Sequence, residues 1–190
     1  MEFAFTPEEE AFRKTLRQFA ERHLLPNYRR WDLGEAFPRE EVKALAQLGL
    51  LGLRVPSAYG GMEASFVQVG IAAEEVARGD FNCTLFIQLH SSGAEALRMA
   101  DPQVQAQWFP AMASGEAVLA LALTEPEAGS DAAHIRTRAV RDGDDYILEG
   151  EKSSISFAGL ADVALIYART GGEGARGVSS FLVPLDWPGV

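Results

Sequence analysis

The chain has 190 residues, with 27 acidic against 17 basic side chains, a formal net charge of −10 and 47% hydrophobic residues. This length allows one large domain or two small ones, and so much apolar material argues against disorder. An acidic chain repels nucleic acid and anionic membrane surfaces, and no apolar run approaches the roughly 18 residues that a membrane span needs. Composition therefore excludes nucleic-acid binding, and we expect a cytoplasmic protein without a membrane span.

Cysteine and histidine usage limits the metal and redox chemistry of the chain. Cys83 is the single cysteine, so no internal disulfide and no thiolate cluster can form. His23, His90 and His134 are far apart and lack the spacing of a zinc-binding helix. We therefore expect no metal site.

The first half of the sequence predicts helices whose ends are marked by caps, prolines and glycines. At the N terminus, Thr6, Pro7 and Glu9 predict a capping box, and the apolar stripe that follows ends before Pro26. Further helices are predicted from Pro38 to Gly49, from Phe66 to Arg78, from Phe81 to Met99 and from Asp101-Pro102 to Pro110.

After about residue 117 the pattern changes to short β-prone runs separated by Gly, Asp and Pro clusters. The runs are VLALALTE, DDYILEG, ADVALIYAR and GVSSFLVPL. No helix-length segment lies between them, which argues against a doubly wound sheet. We predict an α+β protein, with residues 1–117 as an N-terminal all-α helical domain and residues 118–190 as an incomplete, antiparallel β-barrel-like domain.

The stretch Leu121 to Asp131, LALTEPEAGSD, is the most distinctive of the second half. A strand delivers Thr124 to its end, Pro126 turns the chain, and Gly129-Ser130 can present successive backbone N–H groups and a hydroxyl. Such a concavity suits a phosphate, because backbone amides bind anions without a lysine. An ordinary strand followed by a Pro/Gly turn explains the same residues, so both interpretations stand at this point.

The segment Ala122 to Asp131 resembles the flavin-binding signature of the acyl-CoA dehydrogenase family at every constrained position. The resemblance continues in order through VPSAYGG (55–61), LHSSG (89–93), QWFPAMASGE (107–116), DDYILEGEK (144–152) and SSFLVPLDWPGV (179–190). It covers essentially the whole chain. It implies a flavoprotein that binds FAD and acyl-CoA, and it leaves the acyl group undetermined.

The resemblance implies a flavin site built from two segments. In the first, Thr124 bonds the flavin pyrimidine edge with help from nearby main-chain groups, and Ser130 meets the pyrophosphate. Ser130 also lies beside the pantetheine arm of coenzyme A, which makes it the implied substrate contact. The implied cofactor-binding residues are Leu121, Leu123, Thr124, Gly129, Ser130, Ser154, Ile155 and Ser156.

The second segment departs from the family pattern. After the hairpin lysine, relatives usually have Met-Trp-Ile-Thr-Asn-Gly, whereas this chain has Ser-Ser-Ile-Ser-Phe-Ala from 153 to 158. Ser156 keeps the hydroxyl, but Ser154 cannot supply the indole that shields one flavin face. Phe157 is offset by one residue, and neighbours in a strand point to opposite faces. A different loop packing and a change of function both account for Ser154.

Several other polar residues are assigned structural places. The pair His90-Ser91 is expected in the core or in a pocket wall, Cys83 as a small buried side chain, and Glu74-Glu75 on a solvated helix face. Arg176 is expected to be a surface arginine, although its Gly-rich loop also suits the nucleotide end of coenzyme A.

The family's reaction removes the α-proton of an acyl thioester and passes the β-hydrogen as hydride to flavin N5, leaving a trans-2-enoyl-CoA. In relatives the carboxylate base comes from a C-terminal helical bundle, so no catalytic residue is assigned here, and Glu125 is given a structural role. We expect these 190 residues to be a fragment or part of a longer polypeptide, inactive and aggregation-prone alone.

The leading hypothesis is an FAD-dependent acyl-CoA dehydrogenase of fatty acid or cyclic acid degradation. The resemblance implies electron-transfer flavoprotein as the electron acceptor and a homo-oligomer, either a tetramer or a dimer. The KSSIS stretch is similar to dehydrogenases of cyclic substrates such as cyclohexanecarbonyl-CoA. Ser154 keeps a flavin oxidase or monooxygenase-like enzyme open. A non-catalytic interaction module is a third hypothesis, opposed by the intact TEPEAGSD stretch, because a module without flavin needs no phosphate-binding turn.

Overall fold

A computed structural model describes residues 4–34 and 39–190 of the chain. The chain divides into two compact units, Met1–Ala117 and Val118–Val190. The first unit is helical, and the second contains an open β-sheet. The predicted α+β class is therefore confirmed.

The helices of the first unit are α1 Pro7–Phe19, α2 Tyr28–Asp32, α3 Arg39–Gln47, α4 Phe66–Ala77, α5 Phe81–Leu97 and α6 Pro102–Ser114. The long helix α5 packs against α4, α6 and the 3-10 turn Leu50–Gly52, and α1 packs against α4. Phe86, Ile87 and His90 of α5 have no exposed surface, and burying a side chain such as Phe86 or Ile87 contributes roughly 1.5–3 kcal/mol.

Helix α1 begins at the predicted capping box. The Glu9 N–H donates to Thr6 Oγ1 at 3.2 Å, and the Thr6 N–H donates to Glu9 Oε2 at 2.9 Å. The helix passes directly into a π-helical turn, Ala20–Leu24. The chain thus stays helical almost to Pro26, as its apolar stripe predicts.

Two predicted helix boundaries differ from the structure or lie outside it. The predicted end at Pro110 is wrong, because α6 continues to Ser114. Pro110 removes one intrahelical hydrogen bond, but Phe109 and Met112 beside it are fully buried, and this packing outweighs the loss. The predicted start at Pro38 lies outside the described residues.

Short helix α2 was not predicted, since five residues are too few to reveal a period. The predicted stop after α3 is confirmed. Gly49 adopts a φ of 75°, a left-handed conformation that glycine reaches without steric cost.

The expectation of a solvated Glu75 is wrong, because its side chain has no exposed surface. The carboxylate accepts hydrogen bonds from Arg13 Nε at 2.8 Å and from Arg17 Nε and Nη2 at 2.8 and 2.6 Å. The bonds from Arg17, followed by those from Arg13, outweigh burial and hold the pKa of Glu75 below its ordinary value. Glu74, its neighbour on α4, is exposed as predicted.

The sheet of the second unit is mixed, whereas the sequence predicted an antiparallel one. Strand β4 pairs antiparallel with β5 along its whole length and parallel with β1. Strands β2 and β3 form an antiparallel hairpin that joins β4 through one parallel residue pair, Arg138 with Arg169. The bounds are β1 Leu119–Ala122, β2 Arg138–Asp142, β3 Asp145–Glu149, β4 Val163–Arg169 and β5 Val178–Pro184.

The parallel pairing follows from the chain path. Strands β2 and β3 lie between β1 and β4 in the sequence. Because β3 runs back against β2, the chain enters β4 in the same direction as β1. Strand β2, RAVRD, was missed because its short run carries three charged residues and is exposed except at Ala139. The other four strands coincide with the predicted β-prone runs.

Candidate functional site

The predicted residues at the end of β1 lie on two faces of the sheet, because side chains alternate along a strand. Ala122 faces a small apolar cluster against which Ile155 packs. Leu121 points to the opposite face, where Leu123 lines a groove with Tyr167. The side chains of the two leucines therefore lie on the face opposite the one against which Ile155 packs.

The turn after β1 is closed by its own backbone. The Glu125 N–H donates to Ala128 O at 3.0 Å, and the Ala128 N–H donates to Glu125 O at 3.1 Å. Pro126 occupies the tip, where its fixed φ favours a turn. Gly129 and Ser130 follow as an exposed bend, and a Cβ added at Gly129 would meet nothing within 4 Å. The bend is therefore open to a ligand.

The Glu125 side chain, which is 6% exposed, links this turn to two other segments. Its Oε1 accepts from the Thr137 N–H at 2.9 Å and from Lys152 Nζ at 2.8 Å, and its Oε2 accepts from the Arg136 N–H at 2.5 Å. Burial alone raises the pKa of Glu125, but these donors outweigh burial and lower the pKa to about 2. The predicted structural role of Glu125 is confirmed.

The second predicted segment lies directly beside Thr124. The Ser153 N–H donates to Thr124 O at 3.0 Å. Thr124 is half-buried, Ser154 and Ser156 are exposed, and Ile155 between them is half-buried against the apolar cluster. The structure thus brings together Thr124 and the segment that sequence resemblance assigned to the same ligand.

The backbone of this segment is strained at two residues. Ser154 has a φ of 55° and Phe157 a φ of 63°, in the left-handed region, which costs non-glycine residues roughly 1–2 kcal/mol. The Leu160 and Ala161 N–H groups both donate to Phe157 O at 2.8 Å. The segment is therefore a series of turns, and the strand alternation expected at Phe157 does not apply.

A groove of about 590 Å³ opens on the face that Leu123 occupies. One wall is formed by Ala132 and Ala133 of the 3-10 turn Ala132–His134, which begins two residues after Ser130. The opposite wall includes Val178 and Ser179 at the start of β5. The residues along these walls are small and uncharged, so the groove suits a slender, largely uncharged chain.

Arg169 holds the walls of this groove, a role that the sequence did not reveal. Its guanidinium donates to Ala133 O at 2.7 Å and Ile135 O at 3.1 Å on one side. It donates to Gly172 O at 2.6 Å and Gly174 O at 3.1 Å on the other. All four acceptors are backbone carbonyls, which no side-chain motif could have indicated.

The residues assigned structural places are mostly where the sequence predicted. His90 is fully buried, and burial lowers its pKa to about 4. Ser91 is also buried. Cys83 is buried, and burial raises the pKa of its thiol. Arg176 is exposed. His90 and Cys83 therefore belong to the core of the helical unit.

Residues 4–34 and 39–190 contain neither a candidate membrane span nor a candidate metal site. No helix there has the length and apolar character needed to cross a membrane. No three His, Cys, Asp or Glu side chains there converge as ligands of a metal ion.

A helical unit precedes this mixed sheet, and the TEPEAGSD turn lies beside the segment that begins at Ser153. The chain belongs to the acyl-CoA dehydrogenase family: the family's sequence profile for "Acyl-CoA dehydrogenase, N-terminal domain" matches residues 6–116. The profile for "Acyl-CoA dehydrogenase, middle domain" matches residues 120–190.

Individual relatives agree with this assignment. Mitochondrial isobutyryl-CoA dehydrogenase of Dictyostelium discoideum is 36% identical over 97% of this chain and 45% of its own length. A glutaryl-CoA dehydrogenase from Mycobacterium smegmatis, solved in complex with FADH2, has 35% identity and a TM-score of 0.89 over 97% of this chain and 47% of its own. A structure described as the electron transferring flavoprotein of Acidaminococcus fermentans has 29% identity and a TM-score of 0.91, over 100% of this chain and 50% of its own. The chain spans about half the length of the relatives it matches.

Proposed function

We propose that this chain takes part in the FAD-dependent α,β-dehydrogenation of an acyl-CoA thioester to the 2-enoyl-CoA. The observation that carries the proposal is the hydrogen bond from the Ser153 N–H to Thr124 O at 3.0 Å. It joins the two segments that resemble the family's flavin-binding motifs but lie far apart in the sequence. An acyl-CoA substrate is supported by the names of two relatives, an isobutyryl-CoA dehydrogenase and a glutaryl-CoA dehydrogenase.

The residues present fit a flavin. The open bend at Gly129 offers backbone approach to a phosphate, and the exposed hydroxyl of Ser130 adds a donor. Thr124 and Ser156 would supply hydroxyls to the ring, and main-chain groups of residues 121 and 123 would meet its pyrimidine edge. FAD, when bound, supplies the hydride acceptor.

Ser154 and Ile155 would lie beside the flavin ring as well, with different tasks. Ile155 packs on the apolar cluster and would fix the position of the segment. Ser154 is exposed and small. We propose that Ser130 also contacts the pantetheine arm, because the groove that suits a slender chain begins two residues further on, at Ala132.

No catalytic base is assigned within the described residues. Glu125 is unsuited, because a general base needs a pKa near the working pH and free access to the substrate. The pKa of Glu125 is lowered to about 2, and both its oxygens already accept hydrogen bonds, from two backbone N–H groups and from Lys152. What this chain contributes is binding and orientation.

An oxidase or monooxygenase-like flavoenzyme is the second candidate, and Ser154 favours it. The family's tryptophan at this position shields one flavin face, whereas Ser154 is exposed and carries no ring. A less shielded flavin reacts more readily with oxygen.

The leading proposal includes electron-transfer flavoprotein as electron acceptor, a homo-oligomeric assembly and a cytoplasmic location. The name of one structural neighbour, an electron transferring flavoprotein, supports the first of these.

The test begins with FAD binding, measured by quenching of flavin fluorescence on titration with the protein. We expect saturable binding and at least tenfold weaker binding by Thr124→Val, with Thr15→Val, on exposed α1 surface, as the matched control. Failure of the unaltered protein to bind FAD would overturn the proposal and leave the interaction module.

Chemistry is tested on the complete protein by adding acyl-CoA thioesters of straight, branched and cyclic chains without oxygen. Bleaching of the flavin absorption supports a dehydrogenase. Peroxide formation on re-aeration would favour the oxidase.

A further inference from the structure

Lys152 reaches back from the second flavin segment to the first. Its side chain is 10% exposed, and its ammonium donates to Glu125 Oε1 at 2.8 Å and to Leu123 O at 3.0 Å. A buried ammonium is stable only when it is paired and hydrogen-bonded. Glu125 supplies the pairing charge, which leaves the bond to Leu123 as a second, directed contact.

The bond from Lys152 to Leu123 O involves the peptide group that joins Leu123 to Thr124. The Leu123 carbonyl and the Thr124 N–H belong to the same peptide. A cation bonded to the carbonyl polarises the group and makes its N–H a stronger donor, since linked hydrogen bonds strengthen one another. Thr124 is the residue proposed beside the flavin, where its N–H as well as its hydroxyl would meet the pyrimidine edge.

The ammonium is held in place from the opposite side as well. Glu125 is anchored by the Arg136 and Thr137 N–H groups, and Thr137 O accepts from the Arg169 N–H of β4 at 2.7 Å. The chain just before Lys152 is equally fixed, because a Cβ added at Gly150 would lie 2.5 Å from Thr137 Oγ1. The charge is therefore held by a hydrogen-bonded network that is tied to strand β4 through Thr137, as a preorganised electrostatic element requires.

We infer that Lys152 is a positioning residue for the cofactor, which fixes and polarises the Leu123–Thr124 peptide and thereby strengthens FAD binding and favours the reduced flavin. The inference rests on the proposed function and goes beyond it. Reduction adds negative charge to the ring, so a stronger donor at its pyrimidine edge stabilises the reduced form more than the oxidised one.

The test compares five variants with the unaltered protein. Lys152→Met removes the charge, and Lys152→Arg keeps it. Glu125→Gln removes the partner but leaves the lysine. Lys152→Met/Glu125→Gln removes both charges, so that no buried anion remains to unfold the protein. Lys43→Met, on the exposed surface of α3, is the matched control. Three quantities are measured: the dissociation constant for FAD, the flavin reduction potential, and amide hydrogen exchange at Arg136 and Thr137 without FAD.

We expect the double variant to bind FAD at least tenfold more weakly and to show a more negative reduction potential. Lys152→Arg should keep the FAD affinity and the reduction potential close to those of the unaltered protein. Glu125→Gln should shift the potential less than the double variant does, and Lys43→Met should change neither quantity. An unchanged potential in the double variant would overturn the inference, as would an equal shift in Glu125→Gln, which would indicate a merely structural network.

The FAD-binding measurement separates the failure of the two proposals, and the exchange measurement tests the Glu125 network independently of FAD. If the unaltered protein binds no FAD, the proposed function and the inference both fall, whatever the exchange rates. If it binds FAD while Lys152→Met/Glu125→Gln retains affinity and potential, the inference alone falls. Faster amide exchange in Glu125→Gln than in Lys43→Met would show that the carboxylate anchors residues 136 and 137 even then.

Discussion

Each unit of the protein buries a glutamate, and the two carboxylates are held in different ways. Glu75 of the helical unit accepts from two arginines of α1, whose side chains are 29% and 38% exposed. Glu125 of the sheet unit accepts from a lysine that is 10% exposed and from two backbone amides. The pKa of each carboxyl is lowered.

The difference lies in what each ion pair organises. Helices α1 and α4 have capping boxes and apolar faces of their own, so Glu75 joins elements that local sequence already specifies. The turn at Glu125 and the chain at Arg136 are irregular and have no such support. Glu125 therefore determines the shape of the proposed binding surface, while Glu75 adds stability to helix packing.

Replacing Glu125 should produce the largest effect. Glu125→Ala leaves the Lys152 ammonium and two buried N–H groups without their acceptor, and breaking a buried pair costs about 3–5 kcal/mol. Urea unfolding measures the loss. Glu127→Ala is the matched control in the same turn, because its exposed pair with Arg136 contributes less than about 1 kcal/mol. Equal effects of the two variants would contradict the assigned role of burial.

The next effect is a dependence of stability on pH. Because the folded-state pKa of Glu125, about 2, lies below its ordinary value of 4.5, its contribution is fully present above pH 4.5 and is lost as the pH falls towards 2. The shift corresponds to about 3 kcal/mol. Urea unfolding at pH 5 and pH 3 should show a steeper loss for the unaltered protein than for Glu125→Gln. Parallel losses would contradict the lowered pKa.

Replacing Glu75 should cost less. Glu75→Gln keeps the shape and one acceptor oxygen but loses the charge, and hydrogen bonds to charged groups contribute about 1.5–3 kcal/mol. The partly exposed arginines can turn to water, which limits the loss. The measurement is again urea unfolding, with Glu74→Gln on the exposed side of α4 as control. A cost equal to that of Glu125→Ala would remove the contrast between the two units.

These contrasts mark what the sequence could predict. Helix starts such as Thr6 and stops such as Gly49 depend on residues within one turn, and so local pattern was enough. Local sequence was likewise enough to recognise the family motif around Thr124. The burial of Glu75 depends on α1, far away in sequence. The contacts of Arg169 and the bond from Lys152 to Leu123 O end on backbone carbonyls, which carry no residue-specific signal. Pro110 was misjudged because the packing of Phe109 and Met112 overrides a local rule.

The smallest predicted effect concerns Ser154, the residue at which this chain departs from its family. Ser154 is exposed and holds a φ of 55°, which glycine adopts without the steric cost that serine incurs. Ser154→Gly should therefore raise stability by about 0.5 kcal/mol despite the greater freedom of the unfolded chain. Ser156→Gly, exposed but without a positive φ, should lower it by about 0.5–1 kcal/mol. Thermal unfolding of both variants measures the difference, and a loss of stability in Ser154→Gly equal to that in Ser156→Gly would show that the backbone at 154 is not strained. If the predicted signs hold, the loop that carries Ser154 in place of the family's tryptophan has a strained backbone, and its packing against the sheet offsets that strain.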